Sequence, residues 1–452
     1  MYPQKYRILA ILFLIFSFNI YLGNRNIVLG EKKLLNNSLQ TSTSGTEDWY
    51  RTWGGPGDDY CTDIIVDDSG NIYIAGITDP FDNGSNDMFL IKYNSSGSLL
   101  FNKTWGTIHY DVCYAMDSDS SGNIYLAGMT EVGGVNNEMC LVKYDSNGNY
   151  VWNKTWGDTG YESCLDIVID DSDEIYLAGE TNSFGAGGND MCLVKFDDMG
   201  NYIWNKTWGA SSSDRCFAFG INIYDEICMA GNTRSYGDMV HGDIALVKYR
   251  WSGDYDWHEI WAGNDTDTCE SLITDALGNF ILGGSTYSYG SGESDALVIK
   301  YGRSGDQMWN FTWGTPGWEA CTDITLDSSD DMYITGYTAS NVGYAEIFVM
   351  KIGYIGEPLW FYTWGLEYHD FATAIALDSL NNIYVGGQIE VNLGVDSDVL
   401  IIKNPKSVAT EAIAGYDIVL LNGIILMSLA IILLRRYVFK KRFDKEQYNF
   451  TL

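Results

Sequence analysis

The chain has 452 residues, with 60 Asp and Glu against 27 Lys and Arg, and its formal net charge is -33. Such a surface excludes binding to nucleic acid, and docking of the globular part on anionic lipid head groups, because both need Lys and Arg set against phosphate. Aromatic residues make up 14%, and 49 glycines stand against 6 prolines, a mixture suited to many short strands joined by tight turns.

At the N-terminus, Lys5 and Arg7 precede an apolar run from Ile8 to Gly23. Residues 1–23 are expected to be a signal peptide or a signal anchor, and no small-x-small cleavage site decides between the two. Residues 24–46 read as a polar linker.

A self-similar array follows. Thr-Trp-Gly or a near copy recurs with its Trp at Trp53, Trp105, Trp156, Trp208, Trp261, Trp313 and Trp364, at intervals of 51 to 53 residues. The fifth copy departs, reading Ile260-Trp261-Ala262. So even a spacing marks a repeat architecture. Each unit contains four strand-like runs, which in the first are Thr62 to Val66, Asn71 to Gly76, Met88 to Tyr93 and Leu100 to Trp105. Asp/Ser/Gly turns separate them. Runs such as Ile72-Tyr73-Ile74-Ala75 are apolar on both faces, as a sheet sandwiched between neighbouring sheets requires.

The seventh unit stops near Lys403 without its fourth strand, while a lone copy of that strand, Trp49 to Gly54, precedes the first unit. The N-terminal strand is therefore expected to complete the last sheet and close a ring, removing the open ends a linear stack would expose. The predicted fold is all-β: a seven-bladed β-propeller over residues 47–403, closed by an N-terminal strand in the last blade.

Beyond it, residues 404–415 read as a linker and 416–436 as a transmembrane helix, with Ile418 to Leu434 strongly apolar. Arg435, Arg436, Lys440, Lys441 and Arg442 follow, so 437–452 reads as a basic cytoplasmic tail. The expected location is the cell membrane, with the propeller outside the cytoplasm and the C-terminus inside.

The segment from Asp67 to Gly106, with its Asp-Asp-Ser-Gly-Asn-Ile-Tyr-Ile-Ala-Gly turn and strand, its Asp-Met-Phe-Leu-Ile-Lys-Tyr strand and its closing Phe-Asn-Lys-Thr-Trp-Gly, resembles the beta-propeller repeat family known as SBBP. The resemblance covers about residues 47 to 403. Units four and five depart most: Asn222-Ile223-Tyr224-Asp225-Glu226 replaces the usual Asp…Gly-Asn turn. The resemblance implies a fold and no particular reaction, since propellers host many functions.

Aligning the units by Trp exposes recurrent columns. Six residues after each Trp lies an acid: Asp59, Asp111, Glu162, Asp214, Asp267, Glu319 and Asp370. A second acidic column precedes the third strand: Asp87, Glu138, Asp190, Asp243, Asp295, Glu346 and Asp398. First and third strands run in the same direction, so both columns belong to one face, the acidic face. Neighbouring ring acids should stand roughly 9 Å apart, where repulsion is about 2 kcal/mol at an effective dielectric near 20. Such a ring tolerates being empty. Calcium is the only cofactor it brings into consideration, and this spacing alone does not supply the six to eight oxygens calcium takes. The competing expectation is that each acid caps backbone N–H groups where its strand begins.

Cys61, Cys113, Cys164, Cys216, Cys269 and Cys321 occupy a third column, with Ala372 in the seventh unit. Equivalent positions on adjacent blades lie at or beyond disulfide reach, so these read as small buried hydrophobes. No thiol or histidine clustering marks a metal site. Asp117-Ser118-Asp119-Ser120-Ser121-Gly122 starts like a calcium loop but has Gly128 at its twelfth position and recurs as a hairpin turn. Sequons at Asn102, Asn153, Asn205 and Asn310 are glycosylation candidates in an extracytoplasmic chain. No catalytic motif stands out, so no catalytic residue is assigned.

Where the units differ, a ligand can be selected. Tyr110, Tyr161, Trp318 and His369 immediately precede ring acids, and unit four adds Arg215, Arg234 and His241 on the same face. Aromatic rings beside carboxylates suit sugar or cation recognition. The expected function is a membrane-anchored binding or scaffold module for an extracellular glycan or protein, met on the acidic face. Its rivals are a polysaccharide-acting enzyme using ring carboxylates and a purely structural protein of the cell envelope.

Overall fold

A computed structural model describes residues 49–404 except Pro56, residues 80–84, 238–239, 340–342, Glu367 and residues 393–395. The expected signal segment, N-terminal linker, membrane helix and basic tail all lie outside the described residues. Among those described, no helix is long and apolar enough to cross a membrane.

Twenty-eight strands form seven four-stranded antiparallel sheets. Blade 1 consists of Asp59–Val66, Ile72–Thr78, Asp87–Tyr93 and Leu99–Trp105, in that spatial order, and blades 2 to 6 repeat the plan. Blade 7 takes Asp370–Leu377, Ile383–Asn392 and Asp396–Asn404 from the end of the array and Trp49–Trp53 from its start. The borrowed strand runs antiparallel to its neighbour in continuous register from Trp49↔Lys403 to Trp53↔Val399. The ring is closed: the first strands of successive blades touch one another all the way round, the last against the first. They are therefore the innermost strands.

Two-sided burial holds the ring. The second and third strands read as unbroken buried runs, as in Ile175–Thr181 and Asp190–Phe196. Each of seven apolar clusters is shared by two adjacent blades. The cluster joining blades 7 and 1, for example, sets Cys61, Ile64 and Phe89 against Tyr384, Val399 and Ile401, with Trp53 against it. At about 25 cal/mol per Å2 of apolar surface, no blade could be stable with one of those faces left in water. The fourth strands alternate, Leu99–Trp105 showing exposed and half-buried residues in turn, because one side meets solvent, and the innermost strands do so in part, as in Asp267–Thr274.

All nine cysteines are free and buried. The six in the column sit on innermost strands, each at a β-bulge such as that between Cys61 and Asp63, and burial pushes the Cys61 thiol up to about 12. They act as small apolar side chains. The sequence reading of the turns also meets the structure: in blade 2, Asp119 Oδ1 accepts the amides of Ser121 and Asn123 at 3.0 and 2.9 Å, so this acid closes a hairpin turn. The divergent unit-four segment keeps the same turn. Asn222 Oδ1 takes the acceptor role toward Tyr224 and Glu226 at 2.9 and 3.1 Å, and Asp225 adopts the left-handed conformation (φ 57°) that Gly70, Gly122 and Gly278 supply in blades 1, 2 and 5.

A feature not foreseen in the sequence lies on the opposite face from the two acidic columns. The third strand of each blade carries a Lys near its end, and in most blades it reaches an acid in or beside the turn joining the first two strands. Lys143–Asp119 is 3.2 Å, Lys351–Asp327 2.9 Å and Lys248–Glu226 2.8 Å. In blade 5, Lys300 and Asp275 are fully buried together at 2.8 Å. Where the second strand offers Tyr, the ammonium also lies over that ring, as Lys143 does over Tyr125 at 4.6 Å. These clasps tie the third strand to the turn face.

Closure generates a first prediction. Trp53 stacks at 4.8 Å on Phe89 of blade 1 while pairing in blade 7. Trp53→Ala should cost about 2–3 kcal/mol in urea unfolding, whereas Trp251→Ala, on a turn tip with 69% of its surface exposed, should stay within about 0.5 kcal/mol. Equal effects would deny the borrowed strand its role.

Candidate functional site at the acidic face

The ring acids Asp59, Asp111, Glu162, Asp214, Asp267, Glu319 and Asp370 are all at most 1% exposed. They are held by their own loops. One oxygen accepts the backbone N–H four residues upstream, from Gly55, Thr107, Asp158, Ala210, Thr315 and Leu366 in blades 1, 2, 3, 4, 6 and 7. In blades 2 to 6 the other accepts a Thr hydroxyl from the end of the second strand, for example Thr130 on Asp111 and Thr286 on Asp267. Asp214 gains the Ser235 hydroxyl at 2.6 Å as well. In blades 2, 3, 4 and 6 the carboxylate thus fastens the loop entering its blade to the strand beside it. Among the described residues, no three His, Cys, Asp or Glu side chains gather as a metal site would.

The second acidic column meets the ring acids across the glycine of Thr-Trp-Gly. A Cβ on Gly209 would lie 2.0 Å from Asp190 Oδ1 and 2.7 Å from Asp214 Oδ2, and Gly314 stands in the same way between Asp295 and Glu319. At these copies glycine leaves the room into which two carboxylates close, and the fifth copy carries Ala262 instead. Oxygens within about 5 Å of each other repel by about 3 kcal/mol at an effective dielectric near 20. Accordingly, burial and then Asp214 hold the Asp190 carboxyl above its ordinary value, and burial and then Asp111 do the same for Asp87.

Blade 7 breaks the capping rule. The position of the hydroxyl-bearing Thr is Ile389, paired opposite Asp370. Asp370 Oδ1 is buried with no hydrogen-bond partner among the described residues, and burial raises this carboxyl to about 6.

A deeper layer of acids escaped the sequence reading. Two residues past the column cysteine, units one, three and six carry Asp63, Asp166 and Asp323 where units two, four and seven carry Ala115, Ala218 and Ala374. Each aspartate accepts the next amide of its own strand and one from the following blade: Met116 on Asp63 at 2.7 Å, Phe219 on Asp166 at 2.7 Å, Ile375 on Asp323 at 2.8 Å. These are staples between innermost strands. Burial pushes Asp63 up to about 7 and Asp323 up to about 6. The signal available in sequence was an acid in three units of a column that otherwise holds three alanines and Ser271.

The structure brings some of the candidate ligand residues together and separates others. Tyr110, Tyr161 and Arg215 gather with Tyr114 and Glu180 within electrostatic reach of one another. Arg215 Nη2 donates to Glu180 Oε1 at 2.8 Å across the boundary between blades 3 and 4. Glu180 is 1% exposed and is held from its other side by Asn189 Nδ2 at 2.6 Å. The guanidinium lies over Phe217 at 4.9 Å. Glu270, on the innermost strand of blade 5, is exposed, yet burial raises its carboxyl, against which the Thr268 hydroxyl and then Arg215 lower it. Between buried Cys269 and Ser271 on an innermost strand, the exposed Glu270 falls on the channel side.

The remaining candidates lie apart from this cluster. Trp318 Nε1 donates to Glu293 and the ring is 53% exposed. His369 Nδ1 accepts the Ala345 amide at 3.0 Å and its ring stacks on Phe371. His241 faces Asp265 at 3.3 Å, and Arg234 is exposed. Of the sequon residues, Asn102, Asn153 and Asn310 are exposed on outer strands, while Asn205 is half-buried and accepts the Tyr202 hydroxyl at 2.7 Å.

The lone carboxylate yields a pH prediction. Asp370 binds its proton more tightly folded than unfolded, so its contribution favours the fold below about pH 4 and is lost as pH rises through about 6. Ile389→Thr supplies the missing donor. The stability difference between pH 4 and pH 7 in urea titrations should then shrink by about 1 kcal/mol, whatever the lost apolar burial does to both values alike. An unchanged pH slope would show that the hydroxyl does not reach Asp370.

Comparison with known proteins places the repeat. The model of the SBBP beta-propeller repeat matches residues 48–79 and 352–394, the two stretches that meet where the ring closes. No curated protein matches the chain. Among solved structures, it is similar to the WD40 domain of Pan2 from Neurospora crassa, with 8% identity and a TM-score of 0.49, over 80% of this chain and 97% of that one. It is also similar to the beta-propeller domain of the Trilobed protease from Pyrococcus furiosus, with 10% identity and a TM-score of 0.45, over 79% and 98%. The chain carries SBBP beta-propeller repeats, and they form part of a seven-bladed propeller.

Proposed function

We propose that this chain is a binding module of the cell surface, anchored by the apolar segment at 416–436, with its propeller outside the cytoplasm and a glycan or protein as its ligand on the acidic face. The observation that carries this reading is the break in symmetry there. Blades 2 to 6 repeat the same Thr–carboxylate cap, and on that regular frame Tyr110, Tyr114 and Tyr161 converge with one Arg–Glu pair. A scaffold needs only the frame, and the convergence adds ring faces, donors and acceptors to one sector of it. Asp63, Asp166 and Asp323, whose carboxyls burial raises, accept interblade amides, which suits a structural duty. The net charge of -33 keeps polyanions away.

The test is a screen of the full-length chain, in detergent, against arrayed glycans and envelope proteins, repeated with Tyr110, Tyr161 and Trp318 replaced by Ala. Binding to at least one class, weakened by these substitutions, is expected. Silence across the arrays, or binding indifferent to all three, would contradict the proposal. Extraction at alkaline pH should leave the chain in the membrane fraction, and protease added outside intact cells should reach the propeller.

A further inference from the structure

We infer that the acidic-face end of the central channel holds a neutral sugar residue, gripped between Arg215 and Glu270 and flanked by the rings of Tyr114 and Tyr161. The inference rests on the binding role proposed above and narrows its ligand.

Comparison of equivalent positions isolates the site. The residue after the ring acid is Tyr60, Val112, Ser163, Arg215, Thr268, Ala320 or Phe371 in the seven units, and only unit four is charged. The residue opposite it on the second strand is Ile77, Met129, Glu180, Asn232, Ser285, Tyr337 or Gln388, and only unit three is charged. The two single exceptions meet across one blade boundary at 2.8 Å. Neither serves the ring caps, which are complete in blades 3 and 4 without them.

The hydrogen-bond inventory shows what the pair leaves open. A guanidinium carries five N–H donors in a fixed fork. Glu180 takes one of them, and Nε is buried without a partner, while the side chain as a whole is 43% exposed. Glu180, buried and held by Asn189, positions the arginine and balances its charge. Glu270 is the acceptor that a ligand in the lumen can reach. Burial keeps the Tyr114 phenol up to about 12, so it remains a donor at any physiological pH.

Charge then selects the ligand class. Arg215 with Glu180 and Glu270 sums to one negative charge, inside a chain of net charge -33. A uronate or phosphate meets that field, and an amine meets the arginine. A neutral polyol meets neither penalty: its hydroxyl oxygens accept from Arg215, its hydroxyl protons go to Glu270, and its C–H face lies on a tyrosine ring.

The test is calorimetric titration of the full-length chain with neutral hexose oligosaccharides, uronate oligosaccharides of the same length, and short basic and acidic peptides. Neutral oligosaccharides should bind most tightly. Arg215→Lys keeps the charge and loses the fork, and should weaken them roughly tenfold. Glu270→Gln, on an exposed lumen side chain, should weaken them too, and it serves as the test if Arg215→Lys lowers the melting temperature. Trp251→Ala, on an exposed turn tip, should leave them unchanged. Preference for uronate or peptide, or neutral-sugar binding indifferent to both substitutions, would overturn the assignment. A peptide whose binding falls with Tyr110 or Trp318 but not with Arg215 would keep the binding role and remove this site. Silence toward every class would remove both.

Discussion

The structure depends on each sheet being covered on both faces. A four-stranded blade whose second and third strands are apolar throughout cannot stand in water, and it cannot stand at the end of a row. Seven such blades solve the problem only as a circle, and a circle of consecutive hairpins still has a seam. The strand Trp49–Trp53 crosses it by pairing with Asp396–Asn404. Because the two partners lie at opposite ends of the array, the seam is held by the chain itself. The apolar contacts of Trp53 and Tyr384 then join the last blade to the first much as any other neighbours are joined.

Within that frame the acidic composition has a structural use. Ring and second-column carboxylates stand in pairs at the blade junctions, and Asp63, Asp117, Asp166 and Asp323 staple the innermost strands. A carboxylate accepts several backbone amides at once, and such charge-assisted bonds are roughly twice as strong as neutral ones. The protein therefore satisfies its loop entries with acids where other folds use carbonyls or hydroxyls. The cost is burial of charge and, after it, crowding of like charge, visible in the raised carboxyls of Asp87 and Asp190. Asp370 marks the place where one donor is missing.

Much of this was legible before the structure. The even Trp spacing announced the blade count, and the displaced Thr-Trp-Gly strand announced the closure, because both are statements about order along the chain. The acidic columns were equally visible. Their burial was not, since an acid before a strand reads alike whether its oxygens face water or a loop amide. The pairing of Arg215 with Glu180 was hidden for a related reason: the two residues lie 35 apart on different blades, and only the lateral register between blades brings them together. Trp318 and His369 looked equivalent to Tyr161 by position. The loops around them turned the first toward Glu293 and the second toward Tyr344 and Phe371, which no spacing reveals.

The closed seam can be measured by hydrogen exchange on the full-length chain. Amides of Trp49 to Trp53 should exchange as slowly as those of Val399 to Lys403 and open in the same cooperative unit. Exchange of Trp49 to Trp53 at the rate of an unstructured peptide, while Val399 to Lys403 stays protected, would contradict the account.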